Sequence, residues 1–146
     1  MSNKAASMNH HHRITVETVV NKPMNKIWDK WTLPEHIMKW NNASDDWYTP
    51  AAENDLRAGG TFTYKMSAKD GSFGFDFGGI YDEVILNRSI AYTLGDGRKV
   101  EIEFIEEAEG VKIIETFEAE DSHSPEMQKS GWQSILDNFK RYAEND

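Results

Sequence analysis

The chain contains no cysteine, which excludes disulfides, thiolate metal sites and a cysteine nucleophile. It also lacks any run approaching the ~20 apolar residues that a membrane-spanning helix requires. Its first twelve residues, MSNKAASMNHHH, contain no apolar segment of the kind found in secretory signals. We therefore expect a cytoplasmic protein.

Basic residues are outnumbered. The chain has 16 lysines and arginines against 25 aspartates and glutamates, which gives a formal net charge of −9. No basic cluster offsets this charge locally, so a phosphate backbone or an anionic membrane surface would be repelled. We expect neither nucleic acid nor a membrane as a partner.

The remaining composition is that of an ordinary globular domain. Hydrophobic residues make up 38% of the 146 residues, and aromatic residues reach 12%, so the core or a pocket inside it is rich in rings. This length fits one domain of ~100–200 residues. We predict a flexible leader at residues 1–13 and a single domain at residues 14–146. The leader includes His10, His11 and His12, with which no further histidine or carboxylate clusters.

Periodicity indicates the order of the elements. Alternating β-branched residues predict a strand at residues 14–20. A helical stripe then appears, and Pro34 separates it from a short second helix at residues 35–40. A succession of short apolar strands with turns between them predicts an antiparallel meander from residue 61 to residue 119. The stripe of the first helix consists of Met24, Ile27, Trp28 and Trp31.

The final segment predicts one long helix at residues 125–143. Ser124 can cap it, and Pro125 suits its first turn. A sheet with one apolar face must cover that face, and this helix is the element long enough to do so. We therefore predict an α+β helix-grip fold, in which a curved antiparallel sheet (β-α-α-β meander-α) wraps around the C-terminal helix. The helix stripe consists of Met127, Trp132, Ile135, Leu136, Phe139 and Ala143.

Four segments in this order resemble the activator of heat-shock ATPase homologue-like family of the START-like (SRPBCC) superfamily. They are IWDKWTLPEHIMKW at residues 27–40, DLRAGG at 55–60, GIYDEV at 79–84 and SGWQSILDNF at 130–139. The resemblance implies the helix-grip fold. It implies one of several roles: apolar-ligand binding, chaperone-accessory activity or, in distant relatives, polyketide cyclisation or dehydration. The chaperone activator that names the family has a further N-terminal domain, for which we expect no room in this chain.

Aromatic side chains on the predicted inner face are the best candidates for a pocket. The same residues could simply fill the core, and for any one of them the two interpretations are equally open. Trp28 and Trp31, on the stripe of the first helix, are assigned to the core. The predicted pocket-lining residues are Trp40, Trp47, Tyr64, Phe75, Phe77, Tyr92, Phe104, Glu115, Phe117 and Trp132.

Glu115 is the most informative polar residue, because it alternates with Val111, Ile113 and Phe117 and so falls on the apolar face. A carboxylate that points inward costs several kcal/mol unless it is paired or protonated. Arg57 or Arg98 could supply a partner. The more ordinary interpretation places Glu115 at the rim of the sheet or beside a bulge.

No other pattern indicates a reaction. His36 has no carboxylate or nucleophile at a useful spacing, and the pair Gly59-Gly60 precedes a strand rather than a phosphate-binding helix. We predict no catalytic residues, no metal and no cofactor. The predicted function is a binding module with an internal apolar pocket for a small hydrophobic or amphipathic ligand. The alternatives are a protein-interaction or chaperone-accessory domain, which needs a protein partner, and a polyketide cyclase/dehydratase-like enzyme that uses Glu115 or His36.

Overall fold

A computed structural model describes residues 12–145 of the chain. Residues 1–11, most of the predicted leader, lie outside the described residues. Residues 12–145 contain three helices, α1 (Met24–Thr32), α2 (Pro34–Trp40) and α3 (Pro125–Glu144). The same residues contain seven strands, β1 (Arg13–Val20), β2 (Trp47–Asn54), β3 (Thr61–Ala68), β4 (Gly74–Ile85), β5 (Ser89–Leu94), β6 (Lys99–Glu107) and β7 (Gly110–Glu118).

The strands form one antiparallel sheet in the order β1-β7-β6-β5-β4-β3-β2. Consecutive strands from β3 to β7 are neighbours, as the short turns predict. β2, which the sequence pattern did not indicate, pairs with β3 at one edge of the sheet, and β1 pairs with β7 at the other. The sheet curls around α3 as a half-barrel. The predicted helix-grip fold is therefore confirmed.

The long helix begins as its sequence predicts. The Ser124 hydroxyl accepts a hydrogen bond from the Met127 N–H at 3.1 Å, and Pro125 occupies the first turn. At about 1.5 Å per residue, the 20 residues of α3 span about 30 Å, enough to cross several strands. Leu136, Phe139 and Ala143 are fully buried on its inner face.

The two short helices pack against α3 through a cluster of three rings. Trp31 on α1 and Trp40 on α2 lie 4.9 Å apart, measured between ring centroids. Phe139 on α3 contacts both, at 4.8 Å from Trp31 and 4.9 Å from Trp40. The Trp40 indole N–H also donates to the Lys30 carbonyl at 2.8 Å, which joins α2 to α1. Two rings of this cluster, Trp31 and Trp40, line the space between the sheet and α3.

The outer face of β6 is acidic and exposed. Glu101 and Glu103 alternate with Val100, Ile102 and Phe104, which are buried. Solvated carboxylates on this face leave the apolar residues of β6 free to build the core.

Candidate functional site

A cavity of about 180 Å³ lies between the inner face of the sheet and α3. Fifteen side chains line it, and eight of them are aromatic. Ile90 and Ile102 are buried on its sheet side, whereas Phe75 is 46% exposed and marks its open side. The cavity therefore combines an apolar interior with a route to solvent.

Seven of the ten residues predicted to line a pocket do line this cavity. The sheet contributes five of them, and α2 and α3 contribute one tryptophan each. They are Trp40, Tyr64, Phe75, Phe77, Tyr92, Glu115 and Trp132.

The other three predicted residues do not line this cavity, because their rings are directed elsewhere or covered. Trp47 contacts Phe73 and Phe75 beyond the open side of the cavity. Phe104 packs edge-on against the α1 tryptophans, at 5.7 Å from Trp31. Phe117 is covered by Trp132, which stacks on it at 3.9 Å.

The sequence interpretation missed eight lining residues. Alternation along the strands could have identified three of them. Met66 shares a face with Tyr64, Tyr81 shares one with Phe77, and Ile90 shares one with Tyr92. Trp31 was assigned to the core, and it both packs in the core and reaches the cavity. The missed residues are Trp31, Thr32, Asn41, Met66, Tyr81, Ile90, Ile102 and Ile135.

Glu115 is at the buried side of this cavity, not at the rim of the sheet. Its side chain is 7% exposed. It lies opposite Val16 of β1 and Ile102 of β6, in a part of β7 where the pairing with both strands is regular. There is no bulge to turn it outward. The interpretation that placed it at a rim or bulge was therefore wrong.

No charged partner compensates for the burial of Glu115. Both arginines proposed as partners bind aspartates two residues away: Arg57 pairs with Asp55 at 2.9 Å and Arg98 with Asp96 at 2.8 Å. Among residues 12–145, no side chain forms a hydrogen bond or ion pair with the Glu115 carboxyl. Burial raises its pKa from 4.5 to about 8, so the group is predominantly protonated at neutral pH.

Three tyrosines extend the polar part of the cavity lining. Burial raises the pKa of Tyr92 well above its usual value, and the nearby Glu115 carboxyl raises it further. Burial and the proximity of Tyr81 and Tyr92 likewise raise the pKa of Tyr64. These phenols stay neutral at physiological pH and can donate or accept hydrogen bonds.

Asparagines anchor the helices to the sheet around the cavity. The Asn54 side-chain amide donates to the Thr32 carbonyl at 2.8 Å and to the Tyr81 hydroxyl at 3.4 Å. Asn41 donates to the Met66 sulfur at 3.1 Å, and its carbonyl accepts from the Thr49 hydroxyl at 2.7 Å. These contacts fix the ends of α1 and α2 over the strands that form the cavity wall.

His36 lies outside the cavity. Its Nδ1 is 2.5 Å from the Tyr142 hydroxyl, so the imidazole joins α2 to α3. Within the described part of the chain, no group of three or more histidine, aspartate or glutamate side chains is arranged to hold a metal ion. No helix among the described residues is long and apolar enough to span a membrane.

A family model described as "Activator of Hsp90 ATPase homolog 1-like protein" matches residues 21–144. The chain belongs to this family. Members of the Activator of Hsp90 ATPase homolog 1-like family are also found among solved structures. The solution structure of such a protein from Aeromonas hydrophila is 43% identical to this chain, covers 92% of it and 93% of its own length, and superposes with a TM-score of 0.87.

Other solved structures agree in fold. A Cytophaga hutchinsonii protein, also solved in solution, is 54% identical over 91% of this chain and 92% of its own length, with a TM-score of 0.80. A Chromobacterium violaceum protein at 21% identity covers 92% of this chain and 99% of its own, also with a TM-score of 0.80. At that identity the likeness concerns the fold alone. No curated protein shows a significant match to the chain.

Proposed function

We propose that this member of the family is a binding module whose internal cavity holds a small hydrophobic or amphipathic molecule. The observation that carries the proposal is a cavity of about 180 Å³ with eight aromatic side chains among its fifteen lining residues. An apolar cavity of roughly 150 Å³ is large enough to bind benzene. The part of a ligand held inside the cavity is therefore about the size of one substituted ring.

The arrangement of titratable groups favours binding over catalysis. Acid–base chemistry needs two groups of suitable pKa that converge on one place. Among the described residues that line the cavity, Glu115 is the only carboxyl, and the pKa of its neighbour Tyr92 is raised rather than brought towards neutrality. His36, the other candidate base, contacts Tyr142 outside the cavity. A cyclase-type enzyme is therefore the less favoured candidate.

A protein-accessory role is the second candidate function. It is favoured by the family's description, which refers to activation of the Hsp90 ATPase, and by one surface feature. Trp47, Phe73 and Phe75 form a ring cluster in which Phe73 is 63% exposed. Exposed aromatic clusters mark interaction surfaces. This cluster adjoins the open side of the cavity, so a partner that covered it would also control access.

Toluene binding, followed by NMR on labelled protein, tests the proposed function. Toluene should shift the resonances of cavity residues such as Ile90 and Ile102, and the shifts should reach saturation as its concentration rises. An apolar solute gains contacts there that water cannot provide. Filling the cavity with Ile135→Phe should weaken toluene binding by at least about tenfold, which corresponds to 1.4 kcal/mol.

Ile105→Phe is the matched control, because it makes the same change on the exposed face of β6. This variant should bind toluene as the parent protein does. If toluene shifted only surface resonances, or if both variants weakened its binding equally, the cavity would not be the binding site and the proposed function would be wrong.

A further inference from the structure

We propose that the cavity selects a small organic cation, whose ammonium group pairs with the Glu115 carboxylate while its apolar part contacts the surrounding rings. This inference rests on the proposed function, since it specifies the chemical class of the ligand that the same cavity holds.

The first argument is the isolation of the carboxyl group. Glu115 is 7% exposed, lines the cavity and has no hydrogen-bond or ion-pair partner within residues 12–145. No buried side-chain nitrogen or oxygen of the described residues lacks a hydrogen-bond partner, so the unpartnered carboxyl oxygens are not sealed in the core but open onto the cavity, where water or a ligand must satisfy them. A strand residue serving only the core would be apolar, like Val16 and Ile102 beside it. A ligand group that supplies the missing partner explains why a carboxyl stands there.

The second argument is the sign of the charge. Among the described side chains that line the cavity, none is a lysine, arginine or histidine. An anionic ligand would therefore meet a carboxyl and no compensating cation. The formal net charge of −9 also raises the local concentration of cations around the protein.

The third argument is the aromatic lining. The faces of tryptophan, tyrosine and phenylalanine rings attract cations that lie within roughly 6 Å of the ring centre. Trp132 and Tyr92 line the cavity together with Glu115, and six further aromatic residues are among its fifteen lining residues. A ligand ammonium would thus exchange its water shell for one carboxylate and several rings. A neutral ligand would contact only the apolar side chains and accept a hydrogen bond from the protonated Glu115 carboxyl.

Cation binding must be linked to proton release. The pKa of Glu115 is about 8 in the absence of a ligand, so at pH 7 the incoming ammonium displaces the carboxyl proton to solvent.

Among the described residues, no other group that faces Glu115 is expected to change its protonation between pH 6 and 8. Val16 and Ile102 beside it do not titrate, and Trp132 and Ile135 on α3 carry no charge. Burial keeps Tyr92 neutral. Tyr64 and Tyr81, which also line the cavity, have raised pKa values too. Arg98, near Tyr92, is paired with Asp96.

Three probes of equal ring size separate the possible ligand charges. Benzylamine, benzyl alcohol and benzoate are titrated into the full chain at pH 6, 7 and 8, with tryptophan fluorescence and equilibrium dialysis as readouts. At pH 8 benzylamine should bind at least about tenfold more tightly than benzyl alcohol, and benzoate should bind most weakly. The benzylamine affinity should rise with pH by up to about tenfold per unit below pH 8, because an alkylammonium stays charged while Glu115 loses its proton.

The Glu115→Gln variant keeps the shape of the side chain and removes its charge. It should lower the benzylamine affinity at pH 8 by at least about tenfold and change the benzyl alcohol affinity by less than about threefold. Glu103→Gln, an equal change of charge on the exposed face of β6, should change neither affinity.

The outcomes distinguish this inference from the function on which it rests. If benzyl alcohol binds as tightly as benzylamine, or if the benzylamine affinity is unchanged in Glu115→Gln or falls as the pH rises, selection for a cation is wrong while the binding cavity stands. If neither these probes nor toluene enters the cavity, both proposals are wrong.

Discussion

Phe117 on β7 and Trp132 on α3 stack face to face, with ring centroids 3.9 Å apart and planes 8° from parallel. Phe117 is fully buried, whereas Trp132 is half-buried and also lines the cavity. Glu115 lies two residues before Phe117, so its side chain emerges on the same face of the strand. The stack therefore joins the helix to the strand that carries the unpaired carboxyl.

Because these two rings are in direct contact, we expect their contributions to stability to be coupled. A double-mutant cycle with Phe117→Leu and Trp132→Leu should give a coupling free energy of about 0.5–1.5 kcal/mol, typical of aromatic pairs. Urea denaturation measures the four free energies of unfolding. The same cycle on Trp47 and Phe73, an edge-to-face pair at 6.1 Å in which Phe73 is 63% exposed, should give a smaller coupling, because solvent competes for the contact. Equal coupling in the two pairs would contradict a special role for the stack.

The grip of the sheet on α3 predicts large effects from truncations on its inner face. Leu136→Ala and Phe139→Ala should each lower the free energy of unfolding by about 2–5 kcal/mol, because both side chains are fully buried. Met127→Ala on the same helix is the control, since Met127 is 61% exposed, and it should change the free energy by less than about 0.5 kcal/mol. A loss of that small size at Leu136 or Phe139 would mean that the sheet does not grip the helix there.

The order of elements could be predicted from periodicity, with one exception. β2 (Trp47–Asn54) has the sequence WYTPAAEN, in which a proline and several polar residues interrupt the alternation. Proline is tolerated on edge strands, and β2 is the last strand of the sheet. The pairing of β2 with β3 shifts between Tyr48 and Ala51, around Pro50. The alternation in β2 is therefore interrupted because an edge strand tolerates proline and an irregular pairing. The sequence alone does not show that this segment lies at the edge.

The cavity could be predicted only in part, because alternation along a strand identifies a face but not what packs on it. Tyr92 and Phe104 are both buried on the inner face, yet Tyr92 lines the cavity and Phe104 packs against Trp28 and Trp31. Glu115 illustrates the same limit from the other side. The alternation correctly placed its side chain on the inner face. It could not show whether an arginine reaches that side chain, because this depends on the turns that hold Arg57 and Arg98 beside their aspartates.

Replacing either of two glycines by alanine should change the stability in opposite directions. A Cβ added at Gly60 would lie 2.0 Å from the Asp55 carbonyl oxygen, whereas at Gly131, inside α3, it would meet nothing within 4 Å beyond the adjacent residues and backbone of its own helix. Gly60→Ala should therefore destabilise the protein by about 1–3 kcal/mol or more through overpacking. Gly131→Ala should stabilise it by about 0.5–1 kcal/mol through the lower conformational freedom of alanine in the unfolded chain. Thermal and urea unfolding measure both, and a stabilising Gly60→Ala would refute the close backbone approach.

The buried carboxyl predicts a specific dependence of stability on pH. The pKa of Glu115 is about 8 in the folded protein and close to 4.5 when exposed. Between these values the folded state holds a proton that the unfolded state has lost, so this group lowers the stability as the pH rises. The loss is at most about 1.4 kcal/mol per pH unit, and it ends above pH 8, where both states are ionised.

Replacing Glu115 by glutamine removes this dependence. Relative to the parent protein, Glu115→Gln should become progressively more stable from pH 5 to pH 8, by about 1.4 kcal/mol per unit at most, and the difference should then level off. Urea denaturation at four pH values measures it. Glu103→Gln, at an exposed position on β6, should show a difference from the parent that does not vary with pH in this way. A Glu115→Gln variant that lost stability relative to the parent as the pH rose would show that the carboxylate is paired in the folded protein, because a cation left without its partner destabilises.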